Sequence, residues 1–369
     1  MLARDLHPAA WWIWALGLAA AASRTTNPWL LAMILLVACI TVLARRTDAP
    51  WALGFRYYLM LGAFVIALRV VFRIIFGGAY GETVLLDLPE IGLPDWAAGI
   101  TLLGPLTLES LLAGFYDGLR LATILICVGA ANALANPKRL LAAMPAALYE
   151  VGTAVVVALS MFPQLVESLQ RVRRARRLRG EPKGKIHALR RIVVPVMEDA
   201  LERSIVLAAS MDTRGYGRSG VSTTRQRALT GALLITGLIG LAVGSYAVLD
   251  SMAPRYLATP MLVFGVVLAG VGMVVAGRRV QRTRYRPDPW RLPETITAAS
   301  GVLAAVLMYL AATRTPFVAL PPVDAWPQVT LLATAAALVG LIAAVVSPAT
   351  PMSQEKHFSE LPVEHEVAL

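Results

Sequence analysis

Two short arginine-glycine sequences, Leu178-Arg179-Gly180 and Thr213-Arg214-Gly215, are the residues of this chain best suited to gripping a partner. A guanidinium stays charged at any working pH and offers a planar fork of donors that matches carboxylates and backbone carbonyls. The first sequence closes the run Gln164 to Gly180, in which Arg171, Arg173, Arg174, Arg176, Arg177 and Arg179 crowd one end. The second closes Pro195 to Gly215, where Met197, Leu201, Ile205, Ala208 and Met211 recur at spacings of three and four beside Glu198, Asp199, Glu202 and Arg203. That period is helical. Each run starts near a proline and stops at a glycine, the usual helix punctuation. Ala175, Arg176 and Arg177 on the first helix, with Met211, Asp212 and Tyr216 around the second tip, are read as supporting residues. The same residues also fit ordinary helix ends, with cations against the macrodipole and glycines as left-handed caps. The Arg171 to Arg177 cluster also fits an anchor to anionic lipid.

Other chemistry finds little material. No phosphate-cradling GxxxxGK[ST] occurs, and Gly180-Glu181-Pro182-Lys183-Gly184-Lys185-Ile186 has the wrong spacing and no hydroxyl for magnesium, so ATP hydrolysis is not expected of this chain. His7, His187, His357 and His365 are scattered, and the tail histidines with Glu360, Glu364 and Glu366 read as a solvated segment rather than a metal site. Cys39 and Cys127 sit in apolar stretches and imply no disulfide framework. No cofactor or catalytic residue is assigned. A membrane enzyme acting on lipid or prenyl substrates would need clustered carboxylates or a nucleophile and base in one cavity, and the carboxylates here are isolated. A stand-alone secondary carrier would show repeated halves with broken helices, and no internal repeat is found. Within apolar segments, Asp117 and Arg120 are expected to pair at i to i+3, and Arg69 and Arg73 to snorkel.

These residues are positioned by a membrane protein. Of 369 residues, 57% are hydrophobic and only 15% charged, too little polar surface for a soluble globule. The net charge of +11 lies in gaps between apolar runs, a pattern of cytoplasmic loops rather than a nucleic-acid footprint. Crossing a bilayer core of about 30 Å takes roughly 20 apolar residues. Eight spans are expected: Ala9 to Ala22, Pro28 to Ala44, Tyr57 to Phe76, Leu106 to Ala135, Leu229 to Val248, Leu257 to Ala276, Thr297 to Ala312 and Val329 to Val346. Basic residues at 45–56, 138–139, 171–227 and 278–291 then lie inside, and the acidic loop with Glu82, Asp87, Glu90 and Asp95 outside, so both termini are cytoplasmic in an inner or plasma membrane. Ala147 to Phe162 has basic clusters on both flanks, so it is expected to lie shallowly and run on into the arginine-rich helix. The expected architecture is an all-α polytopic bundle with long amphipathic coupling helices. Its divisions are N-terminal spans at 1–135, a cytoplasmic module at 136–227, C-terminal spans at 228–347 and a flexible cytoplasmic tail at 348–369.

The residues Pro105-Leu106-Thr107-Leu108-Glu109, Gly118-Leu119-Arg120, Ala135-Asn136-Pro137-Lys138-Arg139-Leu140-Leu141 and the two arginine-glycine tips carry a family likeness. From about Leu102 to Tyr216 the chain resembles the transmembrane T component (EcfT/CbiQ-like) of energy-coupling factor transporters, ATP-driven importers of vitamins and transition-metal ions. The family's two tips read Ala-Arg-Gly; here Leu178 and Thr213 stand in place of the alanines, while Arg179, Gly180, Arg214 and Gly215 match. The resemblance implies a non-catalytic coupling subunit. Its partners would be two cytoplasmic ABC ATPase subunits, docked on the tips, and a small substrate-binding membrane protein, the S component. It also marks 229–276 as an extra hairpin, since one last span soon follows the second tip in typical members.

Overall fold

The computed structural model describes residues 4–47, 52–76, 81–89, 91–92, 101–144, 146–178, 185–216, 223–250, 252–278 and 288–348. Among the described residues the chain is all-α apart from two short strand pairs, and it divides into two compact units, Met1–Leu140 with Asp288–Leu369, and Leu141–Pro287.

The first unit is built around α1 (Pro8–Ser23), which packs on α4 (Leu108–Leu134) and α10 (Leu292–Arg314). α2 (Pro28–Arg45) packs on α4 and on α12 (Leu331–Leu338), and α3 (Phe55–Phe76) packs on α4. Both opening helices follow the sequence rules, with proline in the first turn and the side chains of His7 and Asn27 accepting from Ala9 N and Trp29 N. Small residues let the backbones approach. A Cβ at Gly17 would stand 2.2 Å from the carbonyl oxygen of Gly301, so α1 and α10 cross backbone to backbone. Gly114 and Gly118 do the same for α3, whose Arg73 Cβ and Ile66 Cα lie 3.1 and 2.9 Å from the positions a Cβ would take. Trp14, Leu18, Leu30, Leu31, Ile34 and Met308 fill the core.

Polar groups fasten the chain's return to its start. Trp14 Nε1 donates to Gly340 O at 3.0 Å, Thr25 Oγ1 to Ala319 O at 2.7 Å, and Asn27 Nδ2 to Val318 O and Gln328 O at 2.9 and 2.7 Å. In an apolar medium such bonds replace those water would have made. The closing segment passes through a short α11 (Pro316–Ala319), and its last helix is broken: α12 passes through a 3₁₀ turn at Val339–Leu341 into α13 (Ile342–Val346).

The second unit holds α6 (Tyr149–Leu178), α7 (Lys185–Thr213), α8 (Thr224–Leu249) and α9 (Thr259–Gly277). A six-residue α5 (Pro137–Ala142) precedes α6 in the chain. Here α8 and α9 form a tight hairpin, in which Cβ atoms at Gly237, Gly240 and Gly244 would fall within 2.6–3.0 Å of Ala269, Gly265 and Leu262.

Among the described residues, seven helices are long and apolar enough to cross a membrane: α2, residues 52–76 including α3, α4, α6 over Glu150–Ala175, α8, α9 and α10. The first and last expected spans form shorter apolar helices, Pro8–Ser23 and Leu331–Val346. Two local expectations need correction. The fourth span starts at Leu108 rather than Leu106, because Pro105–Thr107 forms β4 and pairs antiparallel with β1 (Val84–Asp87) in the acidic loop. Ile91–Gly92 (β2) and Thr101–Leu102 (β3) pair likewise. Arg120 does not pair with Asp117; its guanidinium donates to Ser23 O, a carbonyl at the C-terminal end of α1 where a cation is favoured.

Candidate functional site: two long helices and their tips

α7 ends as a complete Schellman motif. Tyr216 N donates to Met211 O at 3.1 Å and Gly215 N to Asp212 O at 2.9 Å, the six-to-one and five-to-two bonds that close a helix on a left-handed residue. That residue is Gly215, with φ +77°, a conformation that costs glycine nothing and strains any L side chain. Thr213 Oγ1 turns back to Ser210 O at 2.9 Å, so the residue standing where the family has alanine spends its hydroxyl on its own helix. Arg214 is left exposed at the helix end, with no side-chain hydrogen bond or ion pair among the described residues. Asp212, Thr213, Gly215 and Tyr216 are exposed around it, and Met211 is half-buried.

The other tip is described up to its last helical residue. α6 runs unbroken to Leu178, which is 89% exposed, so a leucine in the alanine's place meets no steric limit within the chain. Ala175 and the cations Arg171, Arg173 and Arg174 are exposed on the final turns. Arg176 and Arg177 lie within the helix, their side chains outside the described set, and Arg179 and Gly180 fall outside the described residues altogether.

Between the tips and the apolar ends, the two helices are braced by polar side chains. Arg203 Nε pairs with Asp199 Oδ1 at 3.1 Å along α7, and Arg203 Nη1 reaches Gln164 Oε1 on α6 at 3.4 Å. Ser168, one turn on from Gln164, is buried. Its hydroxyl, then the guanidinium of Arg203, hold the Asp199 carboxyl below the usual carboxylate range, with Arg171 adding a smaller pull. The carboxyl therefore favours this brace above the ordinary carboxylate range, and that contribution fades as pH falls through its lowered value. The sequence shows the Asp199–Arg203 spacing of four. It gives no sign that Gln164 and Ser168 complete the brace, because cross-helix register is set by packing rather than by period.

The periodic apolar row of α7 faces outward. Met197, Leu201 and Ile205 are 61–62% exposed, and Ala208 is exposed as well. α6 shows Val151, Leu159 and Phe162 in the same way. Pro163 and Pro195 interrupt the backbone hydrogen bonding inside the two helices. The unit thus couples a charged end to an apolar flank through two braced helices. Among the described residues no three His, Cys, Asp or Glu side chains gather as a metal site; the tail residues His357 to His365 lie outside the described residues.

No curated protein matches the chain. The model of the CbiQ family, cobalt transport protein, matches residues 2–226, which carry α1 through α7 and both tips and exceed half of the chain, so this protein belongs to that family.

Proposed function

We propose that this chain is the coupling subunit of an energy-coupling factor importer for a vitamin or a transition-metal ion. In this reading α6 and α7 carry motion from two cytoplasmic ABC ATPases to a small substrate-binding membrane protein. The observation that carries it is the end of α7, where a Schellman stop presents Arg214 without a partner among the described residues while the helix's apolar row lies open. A cation left at an exposed helix end fits a carboxylate or helix C-terminus on an ATPase. An apolar row of this length fits a membrane partner or the bilayer interface. Closing of an ATPase dimer would move the two docked tips, and the brace at Gln164, Ser168, Asp199 and Arg203 would make the helices move as a pair. Such coupling requires that the partners contact the helices differently in the two states.

The topology that serves this role places both termini and the basic segments 138–139, 171–227 and 278–291 on the cytoplasmic side of the inner or plasma membrane. α6 then lies along the cytoplasmic interface although its first half is apolar enough to cross, because crossing would carry Lys138 and Arg139 or the Arg171 cluster to the far side. The arginines of its second half fit anionic headgroups there. The cytoplasmic module, 136–227, and the tail, 348–369, face the ATPases, with spans at 1–135 and 228–347 in the membrane. The hairpin 229–276 is an addition to that plan.

Coexpressed with paired ATPases and a small membrane protein encoded beside it, the chain is expected to copurify with two ATPase copies. Purified alone it should neither bind nor hydrolyse ATP. Turnover by the isolated chain, surviving removal of contaminants, contradicts the proposal.

A further inference from the structure

α3 and α4 close on each other without filling the space beside their seam. Gly114 and Gly118 bring the two helices together, and next to that contact they line an open groove of about 520 Å³. Its walls are apolar, with Phe72 and Phe76 stacked at 5.6 Å between ring centroids toward the end of α3, and Leu68 and Leu121 deeper. Its charged lining is Arg69, Arg73 and Asp117. Arg69 and Asp117 are exposed, and among the described residues neither forms a hydrogen bond or an ion pair, even with the other. Arg73, one turn beyond Arg69, is half-buried.

Two opposite charges that share an apolar groove between spanning helices without pairing are costly unless a third body answers both. Their depth suits a lipid headgroup. α3 ends at Phe76, three residues after Arg73 and seven after Arg69, so the two arginines lie about 4.5 and 10 Å from its end. Beyond that end come the exposed strand β1 and a bond from Leu103 N to Ile75 O at 2.8 Å, non-helical backbone that belongs at the membrane surface. The polar boundary also dips at this place. α1, at 16 residues, is about 24 Å long and falls short of a hydrocarbon core of about 30 Å. Its last carbonyl, beside the exposed Arg24, meets Arg120, one turn along α4 from Asp117.

We propose that this groove holds a phospholipid whose headgroup ends in a primary ammonium, the phosphatidylethanolamine class. The phosphate lies against Arg69 and Arg73, the ammonium donates to the Asp117 carboxylate, and the acyl chains leave past Leu68 and Leu121. Charge carries this choice. A guanidinium offers a fork of donors to phosphate oxygens. A carboxylate only accepts, so it favours a headgroup with N–H donors over one that is merely anionic. Phosphatidylglycerol leaves the charge of Asp117 unanswered, and the methylated ammonium of phosphatidylcholine has no N–H to give. The site lies wholly within the first unit and stands apart from the coupling role proposed above.

The test is native mass spectrometry of the full chain released from nanodiscs holding equal parts of phosphatidylethanolamine, phosphatidylglycerol and phosphatidylcholine. Phosphatidylethanolamine should be retained in preference to the other two. Arg69→Gln should weaken retention of every class about tenfold, as loss of a charge-assisted hydrogen bond does. Asp117→Asn should erase the preference for ethanolamine and raise retention of phosphatidylglycerol. A purely structural role for these side chains would lower the yield of folded chain and leave the preference unchanged. If Arg69→Gln fails to insert, Asp117→Asn, which removes a charge from the span, carries the same test. Soluble phosphoethanolamine, which lacks acyl chains, should not displace the lipid; displacement at equal concentration would overturn the lipid assignment in favour of a free phosphate. No retained lipid, or equal retention of the three classes by the wild-type chain, overturns the proposal. So does a complex that carries no lipid here and loses its small membrane partner in Arg69→Gln, a result that gives the groove to a protein helix.

Discussion

Arg179→Glu together with Arg214→Glu is expected to abolish retention of the ATPases and with it ATP-dependent uptake, while leaving insertion and expression close to wild type. Arg214 makes no internal bond among the described residues, so its reversal forfeits only the interaction with the α7 macrodipole, about 0.3–1 kcal/mol. Docked and desolvated against a carboxylate, the same cation would be costlier to reverse: losing one partner of a buried charge pair costs about 2–5 kcal/mol, or roughly 30-fold to several thousand-fold in affinity. Each single reversal should therefore weaken copurification by at least tens of fold, and the double should lose both ATPases. If the arginines served only as caps, the pattern would invert, with slightly lower thermal stability and intact assembly. The glycines of the tips act differently. Gly215 has open space around its α-carbon but φ +77°, so Gly215→Ala strains the stop of α7 without any clash.

The second large effect is expected in the membrane unit. Gly301→Val should reduce the yield of folded chain drastically, because its Cβ would stand 2.4 Å from the Cα and carbonyl oxygen of Trp14. Backbone cannot yield as a flexible side chain can, so the cost should exceed the about 1–3 kcal/mol usual for overpacking. α1 and α10 would separate, and the Trp14 bond to Gly340 would be lost with them. Gly270→Ala, on α9 where nothing lies within 4 Å, should leave the detergent-solubilised melting temperature unchanged or slightly raised. Measuring both variants in one thermal series separates close packing from the general helix preference for alanine. Equal melting temperatures for Gly301→Val and wild type would refute the backbone-to-backbone crossing.

Much of the architecture is legible along the chain because bilayer thickness and helix punctuation are local constraints. Pro28 and Arg45 bound α2 close to where the apolar run and the first basic pair place them, and α8, α9 and α10 fall over their expected apolar runs. The Met197, Leu201, Ile205 row also marks a helix, but period alone does not say whether a row is buried or presented. In this chain it is presented. What the sequence hides is set by distant partners. Arg120 looks like the partner of Asp117 three residues away, yet it answers Ser23, whose carbonyl ends another helix. Ser168 looks like an open surface position and is buried beside Asp199. The return of α10 to α1 depends on Gly17 and Gly301, two of 28 glycines, and no spacing rule singles them out. Arg139 belongs to a basic pair that orients the loop by charge, and only the fold brings Asp5 and Asp288 to it.

Photo-crosslinking from the tips tests the central claim most directly. A benzophenone amino acid placed at Leu178 or at Tyr216, both exposed at the helix ends, should each capture one ATPase copy in the coexpressed complex, and the two together should capture two. The same probe at Leu85, exposed on β1 in the acidic loop, should capture none. Crosslinks to the ATPases from both tips, and none from Leu85, are the predicted result; a complex that transports normally while neither tip crosslinks to an ATPase would contradict the account.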